Sequence, residues 1–391
     1  MGILGSIALA ATGSAIAQSE GMKDSRPNFI VILVDDMGFS DLGCFGGELS
    51  TPNIDRLAEN GLRLTQMYNC ARSCPTRASI LTGLYPQQAG VGFMTGKLND
   101  AYNSYPEYQG KLNEKCVTFG EVLQSAGYFT AMTGKWHVGG GANIDPSRRG
   151  FDRTLHGSAG GFYFPSENKM QLTLNGEKIK HDDPRLPDNW YSTDLWTDYG
   201  LRFIDEAIGE NKPFVLYLAH NAPHFPVQAP QEDIERWRGK FMKGWDKLRE
   251  ERYQRQMEMD LFGKKYPLTP MNPLVPEWDS LSEEQKEQSD LIMAIYAACI
   301  ERIDKSVGHL VQSLKQKGVF DNTYIIFLSD NGCNPEGSLF GRCTGKNPGD
   351  VKSSVFIGHA WAGLTTTPFF MYKHHTHEGG TASPTIISFP K

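Results

Sequence analysis

The apolar run Phe29-Ile-Val-Ile-Leu-Val34 stops abruptly at Asp35-Asp36-Met37-Gly38. Its β-branched residues fit a strand buried on both faces, as in a parallel sheet covered by helices. Thr51-Pro52-Asn53 reads as a helix start, with Thr51 as N-cap and Pro52 in the first position. Ile54, Leu57 and Ala58 form its apolar stripe, and residues 62–68 alternate like a strand. The rhythm repeats, with helices predicted at 118–126 and 195–208 and strands at 128–132, 214–218 and 323–328. Apolar positions at Tyr296, Ile300, Ile303, Val307, Leu310 and Leu314 predict a long amphipathic helix ending near Lys315. Helices alternating with buried strands predict an α/β fold, a large and mainly parallel sheet flanked by helices. Residues 228–290, rich in charge, Trp and Pro, read as an insertion or a lid-like excursion.

Outside this pattern lie the first residues. An apolar, small-residue run at 3–17 ends Ala15-Ile16-Ala17 and reads as the apolar region and cleavage site of a secretory signal peptide. It is short for a membrane span, and no other stretch approaches that length. Residues 1–17 are therefore expected to be a signal peptide and 18–26 a linker, in a protein exported to the bacterial periplasm or secreted. Composition adds little for 391 residues: 39% apolar, 21% charged and a net charge of −6 fit a globular chain. With no basic surplus, a dedicated nucleic-acid binder is disfavoured. Seven scattered cysteines without a CxxC pair argue against both a structural zinc site and a disulfide scaffold. Cys333 and Cys343 are near enough in sequence to bridge.

The polar residues at the strand ends carry the chemistry, because open α/β sheets bind ligands beyond the carboxyl ends of their strands. Asp35 and Asp36 follow one strand, Gly134-Lys135-Trp136-His137 the next, His220-Asn-Ala-Pro-His224 a third, and Asp330-Asn331 a fourth. Singly, an Asp after a strand is a turn former or cap. Four such groups on one rim are harder to dismiss. Asp35, Asp36, Asp330 and Asn331 are hard oxygen donors that suit Ca²⁺ or Mg²⁺. Lys135, His137 and His224 beside them would suit an anionic ester of sulfate or phosphate.

The segment Ala71-Arg-Ser-Cys-Pro-Thr-Arg-Ala-Ser-Ile-Leu-Thr-Gly83 supplies a nucleophile, and here the chain resembles the formylglycine-dependent sulfatases, arylsulfatase-like and of the alkaline-phosphatase-like superfamily. Their motif is Cys or Ser, any residue, Pro, Ser or Thr, then Arg. In this register Ser73 is the residue that becomes formylglycine, in the serine-type version matured by an iron–sulfur radical enzyme. Cys74, one place out of register, is a filler. A hydrated aldehyde carries two hydroxyls on one carbon: one attacks sulfur, and the other loses its proton so that sulfate is expelled by C–O cleavage.

The resemblance further implies metal ligation by Asp35, Asp36, Ser73, Asp330 and Asn331. It gives Arg77 the role of steadying the formylglycine and Lys135 and Lys373 that of holding sulfate. His137 would assist release, and His224 would contact sulfate and protonate the leaving oxygen. His377 and Glu378 receive no catalytic role. The resemblance runs from Asn28 to Pro390 and implies a catalytic domain over 27–391 acting on a sulfated carbohydrate or aryl sulfate. Two departures stand out. Leu84 replaces a common Arg, and the chain stops where relatives continue into a small antiparallel C-terminal subdomain, which is expected to be missing. The alternatives are a phosphate-ester hydrolase of the same superfamily and an inactive sulfated-glycan-binding pseudo-enzyme.

Overall fold

Four strands of one sheet end level, and that alignment positions the polar residues named above. The computed structural model describes residues 26–389 apart from 97–99, 158–159, 161, 167–170 and 264–265. The leader-like run lies outside the described residues. The strands are β1 (Asn28–Val34), β2 (Gly61–Leu64), β3 (Phe129–Lys135), β4 (Arg153–Gly157), β5 (Leu172–Leu174), β6 (Glu177–Ile179), β7 (Phe214–Ala219), β8 (Thr323–Ser329), β9 (Arg342–Thr344), β10 (Ser354–Phe356) and β11 (Thr385–Ser388). Nine form a single sheet in the order β2-β11-β8-β1-β7-β3-β4-β5-β6, while β9 and β10 pair separately. Neighbours from β8 through β4 run parallel. Antiparallel β11 and the β5–β6 hairpin flank them. Leu33 pairs with both Leu328 and Ala219, and Ala219 with Gly134. The residues that follow therefore emerge side by side along one rim.

Helices of seven or more residues are α1 (Pro52–Glu59), α2 (Ser73–Thr82), α3 (Phe119–Ser125), α4 (Ser192–Gly209), α5 (Gly244–Glu258), α6 (Glu283–Gln316) and α7 (Gly358–Thr365). The period of two along β1 sorts its side chains between two cores. Ile30, Ile32 and Val34 join the larger, built with α4 and α6. Leu33 joins the smaller, with Cys74, Ala78 and Leu81 of α2. This is the doubly covered sheet that the continuous apolar runs imply. At Gly134 the backbone has φ +104°, and a Cβ there would stand 1.9 Å from the Ala219 carbonyl oxygen. Glycine is what lets β3 close on β7 beside Lys135.

Several boundaries differ from expectation. The strand at 128–132 continues through Lys135, so that ammonium springs from the sheet itself. The strand at 62–68 ends at Leu64, because its partner β11 begins at Thr385 and the preceding Pro384 has no N–H to extend the ladder. Tyr68 keeps only an isolated bridge to Ala382. Thr51 precedes α1 but makes no side-chain cap; its hydroxyl accepts from Gly43 N and donates to Asp55. All seven cysteines, Cys333 and Cys343 included, are free thiols.

The largest correction concerns the lid reading of 228–290, most of whose Trp and Leu side chains pack into the larger core. The last residues of that stretch are the first turns of α6, begun by a Ser282–Gln285 capping box. Within α5, Trp245 is fully buried, with ring centroids 4.8 Å from Trp278 and 5.3 Å from Trp361. Arg252 is also fully buried, pairing with Glu48 at 2.7 Å and Asp41 at 3.1 Å. The charges of this stretch thus include internal ion pairs. Among the described residues no helix is long and apolar enough to cross a membrane. Trp245→Ala should cost about 3–5 kcal/mol, read as a lower urea midpoint; an unchanged midpoint would restore the lid reading.

Candidate functional site

The site is built on the loop after β1. Asp36 takes a left-handed φ of +71°, which Asp tolerates better than most residues. Asp330 N donates to Val34 O at 3.0 Å, and Asp36 N points back to Asp330 Oδ1 at 3.3 Å. Asp35 N donates to Ala222 O at 3.0 Å, drawing in the loop that carries His224. The ends of β1, β7 and β8 are thus tied together by backbone.

Ser73 is the first residue of α2 and is buried. Its Oγ lies 3.1 Å from Asp35 Oδ1 and 3.2 Å from Asn331 Oδ1. Asn331 Nδ2 donates to Asp36 Oδ1 at 2.6 Å. Arg77, one helical turn on and fully buried, donates Nε to Asp330 Oδ2 at 3.0 Å and a terminal nitrogen to Lys135 O at 2.9 Å. Lys135 is ion-paired with Asp35, and Lys373 Nζ lies 2.7 Å from Asp36 Oδ1. His224 places Nε2 3.6 Å from Asp36 Oδ2, while its Nδ1 meets Phe225 O at 2.6 Å. The ring of His137 keeps a buried Nδ1 without a hydrogen bond among the described residues and feels the charges of Lys135, Arg77, Asp35 and His224. Residues drawn from six stretches of sequence therefore meet in one cluster.

Charge in this cluster is tightly matched: three buried carboxylates face Arg77, Lys135 and Lys373. Burial would raise Asp35, but Lys135, His224 and Arg77 hold its carboxyl well below the usual range. Asp36 is likewise lowered against burial, chiefly by Lys373 and His224. Burial and the charge of Asp35 push Asp330 up to about 7 despite Arg77. Burial, Lys135 and Arg77 hold His137 well below its ordinary value, and burial and Lys135 hold His224 down to about 4. The chemistry of the donor set fits a divalent cation. Asp35, Asp36, Asn331 and Ser73 offer oxygen, the donor type of Ca²⁺ and Mg²⁺. Asp330 adds a carboxylate whose Oδ2 is already engaged by Arg77. Asp35, Asp36 and His224 also present ligand atoms within 4.8 Å of one another, which makes His224 a geometric alternative.

Other residues at the site carried weaker signals. Asn334 Nδ2 donates to Asp36 Oδ2 at 2.8 Å; it follows Asn331 by three places and was legible as an extension of that motif. Tyr163 donates to His224 O at 2.7 Å, a contact only the fold creates. Gly332 packs where a Cβ would stand 1.9 Å from Gly379 O, and its N–H bonds Gly380 O at 3.0 Å. That contact docks the Lys373 loop on the Asp330 loop. Glu378 accepts from Tyr68 at 3.1 Å and His377 packs edge-on to Phe370, both at the loop's periphery. Cys74 turns into the smaller core, with Sγ 3.7 Å from Met94 Sδ, and burial raises its thiol pKa.

Comparison with known proteins agrees with this geometry. The family model described as Sulfatase matches residues 27–391. The chain is 34% identical to an uncharacterized sulfatase of Schizosaccharomyces pombe, over 96% of this chain and 72% of that protein. It is also 34% identical to an arylsulfatase of Klebsiella aerogenes, over 97% of this chain and 83% of that one. Among solved structures, Ps i-CgsB in complex with k-i-k-neocarrahexaose superposes with a TM-score of 0.65 at 27% identity. That match covers 94% of this chain and 66% of the other.

If the oxygen cluster holds a cation, Ca²⁺ or Mg²⁺ at about 100 times its dissociation constant should stabilise the protein by about 2.7 kcal/mol. Thermal melts with added cation and then EDTA read this, and Asp36→Asn should abolish the shift. An equal shift in that variant would place the ion elsewhere.

Proposed function

The chain belongs to the sulfatase family of sulfuric ester hydrolases, and from that premise we propose that it removes sulfate from a sulfated carbohydrate or an aryl sulfate with Ser73, oxidised to formylglycine, as nucleophile. One observation carries the reading: the Ser73 hydroxyl meets Asp35 and Asn331 at the first turn of a helix, inside a ring of cations. A radical maturation enzyme would perform the oxidation. The hydrated aldehyde would supply two hydroxyls on one carbon, and a Ca²⁺ or Mg²⁺ ion held by Asp35, Asp36, Asp330, Asn331 and residue 73 would supply Lewis acidity. Export to the periplasm or beyond belongs to the same proposal and rests on the apolar run at 3–17.

The chain's own residues have distinct parts. Asp35 and Asn331 orient the reacting oxygen at position 73, and the helix N-terminus favours negative charge there. Arg77 keeps Asp330 and the β3 backbone in register beneath it. Lys135 and Lys373 each have three donors, so each keeps N–H groups for a sulfate oxygen beyond its carboxylate partner. His137, held neutral, can accept a proton when sulfate is released. The bond of His224 Nδ1 to Phe225 O leaves Nε2 for the pocket. The charge of a bound sulfate ester would favour protonation there, making Nε2 the donor to the leaving oxygen. An oligosaccharide in the related Ps i-CgsB structure supports a sugar as the organic part.

Two experiments test this. Tryptic mass spectrometry should find the Ser73 peptide lighter by two hydrogens after co-expression with a maturation enzyme. Ser73→Ala should lower sulfate release by about 10⁴-fold or more while the melting temperature holds. An unmodified Ser73 with phosphate-ester turnover would favour the superfamily alternative, and glycan binding without release would favour a pseudo-enzyme. His224→Ala should slow sugar sulfates, whose leaving groups are poor, by about 10²–10⁴-fold, and aryl sulfates much less. Equal losses on both substrates would remove the acid role.

A further inference from the structure

Among the described residues, no carboxylate pairs with Arg72, whose guanidinium lies instead over an aromatic ring. Arg72 immediately precedes Ser73, and its backbone is extended, with φ −149° and ψ 143°. The neighbouring backbone is fixed on the other side too: Ala71 N donates to Asn69 Oδ1 at 2.6 Å, and Ala71 O accepts from His374 N at 3.2 Å. Unlike Ser73, Arg72 is only half-buried. Its guanidinium lies over the ring of Phe93, 5.1 Å from the centroid. Phe93 is 38% exposed and is anchored through its neighbour Met94, whose sulfur meets Cys74.

Among the described residues the Arg72 guanidinium makes no hydrogen bond or ion pair, whereas the deeper Arg77, Lys135 and Lys373 are each paired with a carboxylate. The contrast is chemical. A guanidinium stacked on an aromatic ring has its stem ordered and its planar edge of N–H donors left open. That edge matches a carboxylate or sulfate, two oxygens to two N–H groups.

We propose that Arg72, seated on Phe93 beside the nucleophile, is a subsite for a second anionic group, sulfate or carboxylate, on the glycan whose ester sulfate lies against Ser73. The assignment rests on the sulfatase reading and adds to it a preference for polyanionic over singly charged substrates. Arg72 touches no reacting atom; it sets which sugars bind.

Hydrolysis of p-nitrophenyl sulfate by the matured protein, with sulfated disaccharides as competitors, tests it. The panel holds monosulfated disaccharides, their disulfated counterparts, and monosulfated disaccharides carrying a uronate. The intact protein should bind the doubly charged members about tenfold more tightly than the singly charged ones. Arg72→Gln should shrink that ratio to about twofold, Arg72→Lys should keep part of it, and Phe93→Leu should lower it by loosening the guanidinium. Turnover of p-nitrophenyl sulfate alone should stay within about twofold in all three, which also shows that Ser73 is still placed for attack. A ratio unchanged by Arg72→Gln, or a panel in which the second charge never improves competition, overturns the proposal. A ratio that Arg72→Gln removes for uronate members alone identifies the second group as carboxylate, and one it removes for disulfated members alone as sulfate. Absence of p-nitrophenyl sulfate and disaccharide hydrolysis by the intact, matured protein would instead overturn the sulfatase reading itself.

Discussion

Burying three carboxylates at the ends of two adjacent strands is the constraint to which the rest of the site answers. Asp35, Asp36 and Asp330 are each fully buried, and charges so placed are costly unless paired and hydrogen-bonded. Arg77 reaches Asp330 from α2, Lys135 reaches Asp35 from β3, and Lys373 reaches Asp36 from the loop before β11. Each pairing joins a separate piece of chain to the same point. Buried ion pairs are poor sources of stability compared with apolar packing. What they do here is set a common register for α2, β3 and the Lys373 loop around the Ser73 hydroxyl.

A second buried charge system supports the first from behind. Asp41 accepts from Gly38 N at 2.8 Å and from Tyr296 OH at 2.6 Å, and it pairs with Arg252. Burial pushes its carboxyl up to about 6 against the pull of Arg252 and Tyr296. The loop leaving Asp36 is thus held by α5 and α6, elements from the middle and later parts of the chain. Gly38 itself sits where a Cβ would come within 2.4 Å of Thr365 O at the end of α7. The loop that carries the metal-type ligands is clamped on both sides, so its left-handed Asp36 is over-determined by its surroundings.

Much of this was legible in the residues. Strands buried on both faces announce themselves by unbroken apolar runs, and the polar groups that end them had to share a rim once the sheet was parallel. Asp35, Asp36, Lys135, His137, His224, Asp330 and Asn331 stand at one place in the fold, whereas His220 turns away toward Ser306. Ser73 and Arg77 were found by resemblance to a motif, since their spacing says only that they share a helical face. What stayed hidden is what depends on partners distant in sequence. Arg252 looks solvated until Glu48 and Asp41 are seen beside it, and Tyr163 has no local mark of its contact with His224. Residues 228–290 were misread for the same reason, because a charge pairing inward has the same composition as a charge facing water.

Cys74 shows how the register of a single helix decides chemistry. Serine and cysteine stand next to each other at the start of α2, and by intrinsic nucleophilicity the thiol is the better candidate. Successive helical positions point about 100° apart, so only one of the two can face the rim. Arg77 is a helix-surface neighbour of both, three places from Cys74 and four from Ser73, and it docks α2 on the sheet through its bonds to Asp330 and to the carbonyl of Lys135. That directs Ser73 to Asp35 and Asn331 and sends Cys74 into the core against Met94, where burial keeps its thiol protonated. The way α2 docks on the sheet, rather than intrinsic reactivity, therefore decides which of two adjacent side chains meets the polar rim.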